Sequence, residues 1–172
     1  MALLKILEFP DPRLRVTAKP VKEVNGKLIG LADKMLAAMY DAPGIGLAAT
    51  QVNSSHRMVV LDTSDAKDSP LILINPTIIE RDGEIESSEG CLSVPGFYEP
   101  VIRNCNIVVE AINRKGEPFS MEADNLLAVC IQHELDHLEG KLFVDYLSAT
   151  KRQMIRKKLQ KLQKQYLQDQ RA

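Results

Sequence analysis

No apolar run in this sequence approaches the roughly 20 residues that a bilayer-spanning helix requires. The N-terminal stretch MALLKILEFPDP carries a short apolar run but no small-residue cleavage site. Glu8 and two prolines follow closely, so it reads as mature sequence rather than a signal or transit peptide. Cysteine is scarce and odd in number, at Cys91, Cys105 and Cys130. Without an export signal, that argues against a disulfide framework and for reduced thiols in a cytosol. The ordinary role of each would be a small buried hydrophobe. Internal repeats, low-complexity segments and Gly/Ser linkers are also lacking. A length of 172 residues therefore suggests one domain with room for a proper core. With 45% apolar and 26% charged residues, the composition is that of a soluble globular protein.

Net charge is only −1, but it is unevenly spread. Residues 151–172 carry eight Lys/Arg against one Asp, whereas the remainder carries 14 basic and 22 acidic residues. An acidic body with a basic tail points to a polyanionic partner for the tail, or to the tail docking on its own body.

Periodicity supplies the elements. GKLIGLADKMLAAMY (26–40) places Leu28, Leu31, Met35, Leu36 and Met39 at helical spacing, and Asp41-Ala-Pro-Gly ends it. RMVVLD (57–62) and LILINPTIIE (71–80) read as strands, the second interrupted at Asn75-Pro76. Asp82-Gly83 signals a hairpin between Ile79 and Ile85. NIVVEAIN (106–113) and EPFSMEA (117–123) read as a second hairpin around Arg114-Lys115-Gly116. Asp124 can cap a helix through NLLAVCIQHELDHLEG that stops at Gly140. From Ser148 a long amphipathic helix carries Met154, Ile155, Leu159, Leu162, Tyr166 and Leu167 on one face. The expected fold is α+β, with mostly antiparallel strands packed around a buried metal-binding helix and an amphipathic helix at the C-terminus. Residues 1–150 are expected to form the main domain, with 151–172 as its basic helical extension.

The chemistry concentrates in QHELDHLEG (132–140). Residues four apart on a helix are rotated by about 400°, so His133 and His137 share a face. Glu134 is rotated about 100° from His133, able to reach a water at a metal without being a ligand. The preceding LLAVCI is apolar, so the helix is buried and its polar residues need partners. Two histidines are one short of a catalytic metal site. Continuation to a third histidine fails because Phe143 stands in that place, and no glutamate follows Glu139. The third ligand must lie upstream, among His56, Cys91, Cys105 and several carboxylates. His56 reads as an exposed loop residue and Cys105 as a packed strand residue. Cys91 sits in ESSEGCLSVPG, a Gly- and Pro-bounded stretch of small polar residues where a thiolate is well placed to ligate, though spacing alone leaves the choice open.

Taken together, GIGLAATQ (44–51), EGCLSVPG (89–96) and QHELDHLEG (132–140) resemble the three signature motifs of the peptide deformylases, in the family's order, and FPDPRLR near the N-terminus is similar as well. The resemblance spans about residues 1–150. It implies a hydrolase that removes the formyl group from formyl-methionine of newly made polypeptides and releases formate. It implies Cys91, His133 and His137 as ligands of one divalent metal and Glu134 as the acid/base. Gln51 and the Leu92 backbone N–H match the oxyanion donors, and Gly44, Ile45 and Gly46 match the edge on which the peptide lies. Ile45, Leu92, Val129, Cys130 and His133 are expected around a pocket for the methionine side chain. A thiolate and two imidazoles suit iron(II), zinc, nickel or cobalt. The resemblance favours iron(II) in the cell, with zinc, nickel or cobalt replacing it in purified protein. It also implies a bacterial cytoplasmic location and contact of the basic C-terminal helix with the ribosome near the exit tunnel. No membrane or DNA partner is expected.

Several residues keep a second reading. Gln51 could cap the turn before Asn53, and Gly44-Ile45-Gly46 could be a helix-to-strand turn. Glu89 and Arg103 are either a pair that orients the Cys91 segment or two solvated charges. Tyr98 lies where some relatives carry a basic residue. A metalloprotease and a non-catalytic RNA-binding protein with a structural metal are the rival functions.

Overall fold

The computed structural model describes residues 2–172. Helix α1 spans Gly26–Asp41, and the Asn25 side chain accepts from the Leu28 amide to cap it. Strand β1 (Gly46–Ala48) follows, then β2 (Met58–Leu61), β3 (Leu71–Asp82), β4 (Ile85–Cys91), β5 (Val94–Arg103), β6 (Asn106–Ile112) and β7 (Pro118–Asp124). Helix α2 spans Asn125–Leu138 and α3 spans Ala149–Arg171. Among the described residues no helix is long and apolar enough to cross a membrane.

The strands form a five-stranded antiparallel sheet in the order β1-β2-β3-β6-β7 and a separate β4-β5 pair. The large sheet is buried on both sides at β2. Val59 and Leu61 pack with α2 residues Cys130, Ile131 and Leu135, while Met58 and Val60 pack with Met35 and Met39 of α1. A strand covered on both faces loses its alternation, which is why MVVL is a continuous apolar run. A third cluster joins Leu7, Phe9 and Leu14 to Val94, Val101, Phe143, Ile155 and Leu159.

The structure departs from the sequence expectations at four places. β3 does not stop at Asn75-Pro76. It bulges there, with Asn75 at φ 52° and its side chain bonded to both the N–H and the C=O of Val21. A proline without an N–H is tolerated at such a bulge. Gly83 does turn the chain, at φ 64°, but Asp82-Gly83 makes no hairpin. The free edge of β3 is taken by β6, so β4 leaves the sheet and pairs with β5, a strand the sequence did not signal. Asp124 stands at the N-cap of α2, yet its side chain makes no capping bond. On α3, only Ile155 and Leu159 of the expected face are buried; Met154, Leu162, Tyr166 and Leu167 stay exposed. Ser148 caps the helix, which is fastened to the body by Lys151 on Glu99 and Gln163 on the Phe9 carbonyl.

Leu159→Ala should cost about 2–5 kcal/mol in urea denaturation, as a fully buried leucine does. Leu162→Ala, at a residue 57% exposed, should change stability by no more than about 0.5 kcal/mol.

Candidate metal centre and catalytic site

Helix α2 runs through the core with Gln132, His133, Glu134 and His137 all buried among Ala128, Ile131, Leu135 and Leu138. Cys91 is the last residue of β4, paired with Val94 across a tight Leu92-Ser93 turn that brings its sulfur over the helix. The Cys91 Sγ lies 3.3 Å from His137 Nε2, which lies 3.1 Å from His133 Nε2. All three donor atoms fall within 4.8 Å of one another. A tetrahedral site with ordinary metal–ligand lengths needs edges of about 3.3 Å between two nitrogens and about 3.6 Å between nitrogen and sulfur. The sulfur–nitrogen contact to His137 and the contact between the two imidazoles both fall slightly inside that frame.

The protonation of His133 follows from its neighbour. Glu89 Oε1 lies 2.8 Å from His133 Nδ1. Burial works to raise the Glu89 carboxyl, but hydrogen bonds from Arg103 and His133 outweigh it and hold it at about 2. An ionised carboxylate only accepts, so His133 Nδ1 carries the proton and Nε2 turns a lone pair toward Cys91 and His137. Burial works against charge on His133, but without a cation Cys91, Glu89 and Glu134 outweigh it and draw a second proton onto the ring, so a proton takes the Nε2 position that a bound cation would take. Burial and the His133 charge hold His137 well below its own. The pocket has a surplus of negative groups and converging lone pairs, the electrostatics a bound cation satisfies.

Glu134 shares the pocket. Its Oε1 is 3.7 Å from His133 Nε2, and its Oε2 is buried without a hydrogen-bond partner, as is His137 Nδ1. Burial pushes the Glu134 carboxyl up to about 7, against the pull of the His133 and Arg103 charges. Such a group can exchange a proton near neutral pH. β1 passes directly over it. A Cβ at Gly46 would lie 2.9 Å from both Glu134 and the Cys130 sulfur, so only glycine fits. A Cβ at Gly44 would meet the Leu92 side chain at 2.7 Å.

Gln51 closes its turn and keeps its amide nitrogen at the site. Its Oε1 accepts from the Ala48 amide and closes the turn, while its Nε2 donates to Ser93 Oγ and points 3.6 Å from Cys91 Sγ. Thr50 Oγ donates to the His137 carbonyl, tying this turn to the end of α2. Neither Ser93 nor Thr50 was singled out from sequence. Glu89 and Arg103 are not solvated charges: they form a bidentate pair at 2.7 and 2.8 Å, both 5% exposed. The pair reaches the Cys91, His133 and His137 cluster through His133. Phe143, where a third histidine would complete a longer zinc motif, stacks on the His133 ring at 6.3 Å.

The other upstream candidates fall away. His56 lies on the surface bonded to Ser54, and Cys105 lies beside the Asp82 carbonyl at the far end of the sheet. Val129 and Cys130 are buried, and the Cys130 thiol faces the Ile45 carbonyl at 3.7 Å. Ile45 is 45% exposed and forms the rim of this region rather than core. Leu92 is half-buried against the α1 side of the sheet.

Comparison with known proteins agrees with this geometry. The family model described as polypeptide deformylase matches residues 3–153. A peptide deformylase of Teredinibacter turnerae is 58% identical over 166 residues, covering 96% of this chain and 99% of that one. Among solved structures, a peptide deformylase from Legionella pneumophila superimposes with a TM-score of 0.91 at 47% identity, covering 96% of this chain and 98% of that chain. One from Ehrlichia chaffeensis in complex with actinonin gives a TM-score of 0.90 at 34% identity, covering 94% and 98%.

The Glu89 environment makes stability acid-sensitive. Its folded value of about 2 lies below the ordinary 4.5, so its contribution is complete above about pH 4.5 and is lost as pH falls toward 2. Urea midpoints of the metal-free protein should therefore drop between pH 5 and pH 3. Glu89→Gln should show a smaller drop over the same interval.

Proposed function

The chain belongs to the polypeptide deformylase family, and we propose how its own residues carry that family's reaction. It is a metal-dependent hydrolase that removes the N-terminal formyl group of nascent polypeptides and releases formate. In our reading Cys91, His133 and His137 hold one divalent ion. The observation that carries this is the convergence of their three donor atoms within 4.8 Å beside a buried, unpartnered Glu134 oxygen. A bound metal supplies Lewis acidity and makes hydroxide accessible near neutral pH.

Glu134 takes the proton of the attacking water and returns it to the leaving amine, a cycle suited to a carboxyl pushed up to about 7. Gln51 Nε2–H and the Leu92 N–H donate to the oxyanion as it develops on the formyl carbonyl. Each such preorganised donor is worth about 3–4 kcal/mol. Gly44, Ile45 and Gly46 offer a glycine-bare edge to the peptide backbone, and Val129 and Cys130 receive the methionine side chain. Thiolate and imidazole ligands accord with iron(II) in the cell and with zinc, nickel or cobalt in purified protein. The domain proper is residues 1–150, with 151–172 as its extension. A cytoplasmic location accords with three free cysteines. Glu134→Ala should keep a full complement of metal and lose formate release from a formyl-Met tripeptide. A variant that remains fully active would remove Glu134 from this role.

The second proposal is that α3 contacts ribosomal RNA near the exit tunnel. Beyond Leu159 the helix leaves the core and exposes Lys161, Lys164 and Arg171 beside Leu162, Tyr166 and Leu167. Deleting the whole tail would also remove Ile155 and Leu159 from the core, so charge substitution is the cleaner test. Replacing Lys157, Lys158, Lys161 and Lys164 with Gln should weaken ribosome binding and flatten its salt dependence. Cleavage of a short formyl peptide should be unaffected. Ribosome affinity equal to that of the parent protein would sink the idea.

A further inference from the structure

Resting on the reading of Cys91, His133 and His137 as the metal ligands, we propose that Tyr146 is a positioning residue for the metal centre, acting through Arg103 and Glu89. Tyr146 touches none of the three ligands. It closes the short 3-10 turn Phe143–Tyr146 and is 52% exposed. Its hydroxyl donates to Asp136 Oδ2 at 2.8 Å, and its ring lies under the Arg103 guanidinium at 4.9 Å.

From there a continuous chain of charged contacts leads inward. Arg103 Nη1 donates to the same Asp136 oxygen at 2.6 Å, and Arg103 Nε and Nη2 grip the two oxygens of Glu89. Glu89 Oε1 then accepts from His133 Nδ1. Asp136 stands on α2 between the two histidines and Glu89 on the small sheet, so Arg103 joins the two halves of the site.

A buried guanidinium is a good clamp only while water is kept from it. Two of its edges are taken by the carboxylates. The Tyr146 ring covers one face, an arrangement that is favourable as a cation–π contact. The hydroxyl also holds Asp136, the more accessible of the two acids bound to Arg103, at 20% side-chain exposure against 5% for Glu89. Removing Tyr146 would admit water to Arg103 and weaken its hold on Glu89. His133 would then lose the partner that fixes its tautomer and ring direction. Partners of this kind, one step behind a metal ligand, commonly govern affinity by about 10–100-fold.

The test is the rate at which zinc-loaded protein surrenders its metal to an excess of chelator. Parent, Tyr146→Leu, Tyr146→Phe and Glu89→Gln proteins are compared, together with the Tyr146→Leu/Glu89→Gln double variant. Tyr146→Leu should release zinc about tenfold faster. Tyr146→Phe, which keeps the ring and loses the hydroxyl, should fall between it and the parent. In the Glu89→Gln background the Tyr146 substitution should add less than about twofold, because residues acting along one chain are not additive. Melting temperature alone would register a merely structural role; this coupling would not. Release from Tyr146→Leu at the parent rate overturns the inference, as does a full tenfold effect persisting without Glu89. A parent protein that takes up zinc but still binds one ion after Cys91→Ser and His137→Ala overturns the ligand assignment instead.

Discussion

Everything in this structure is arranged around one buried carboxylate, Glu89, which accepts from a histidine on one side and an arginine on the other. A helix through an apolar core cannot carry two histidines and a glutamate unless their charges and hydrogen bonds are met there. Glu89 meets the His133 requirement, but burying it raises a further one, which Arg103 meets. Arg103 in turn needs Asp136. The chain of obligations ends only where the side chains reach the protein surface. The converging lone pairs of Cys91, His133 and His137 are the one demand left for a cation.

The topology meets that requirement. After the Gly83 turn β4 does not extend the main sheet. With both edges of β3 taken, it instead forms a separate pair with β5, and this pair brings Glu89 and Cys91 down on α2 while Arg103, at the end of β5, closes over them. The main sheet supplies the opposite wall. Its first strand crosses close enough to Glu134 that a single methyl at Gly46 has no room. Ser93 and Gln51 then stitch the two walls together at the site itself.

Legibility in the sequence tracks how local the determining physics is. α1, the β6-β7 hairpin and α2 were readable because periodicity and turn residues lie within each segment. The β3 bulge and the missing β3-β4 hairpin were not, since Asn75 answers to Val21 and the edge of β3 answers to β6, both distant in sequence. β5 was hidden because a strand in a two-stranded pair, half exposed and containing two prolines, lacks a clean alternation. At the site, His133, His137 and Glu134 announced themselves by spacing on one helix. Cys91 could only be ranked above His56 and Cys105 by local composition, and the three motifs together were needed to single it out. Thr50 and Ser93 carried no signal, because a hydroxyl acquires its meaning only from what it faces. The tail was read as serving a polyanionic partner or docking on the body, and of its apolar stripe from Met154 to Leu167 the body covers only Ile155 and Leu159.

The same closeness bears on why such a site need not act as a general protease. The elements that a zinc protease also has, two histidines and a glutamate on a helix, are all here. What differs is the space around them. Gly46 lies against Glu134 and Cys130, Gly44 against Leu92, and Gln51 fills the floor between Ser93 and Cys91. A formyl carbon carries only hydrogen beyond its carbonyl, so it can enter a site with no room on its far side. The acyl portion of an internal peptide bond would have to place a substituted α-carbon and the chain beyond it in that same volume. Close packing has a steep repulsive cost and interiors yield little. Packing this close around the donor set would by itself disfavour the larger acyl group.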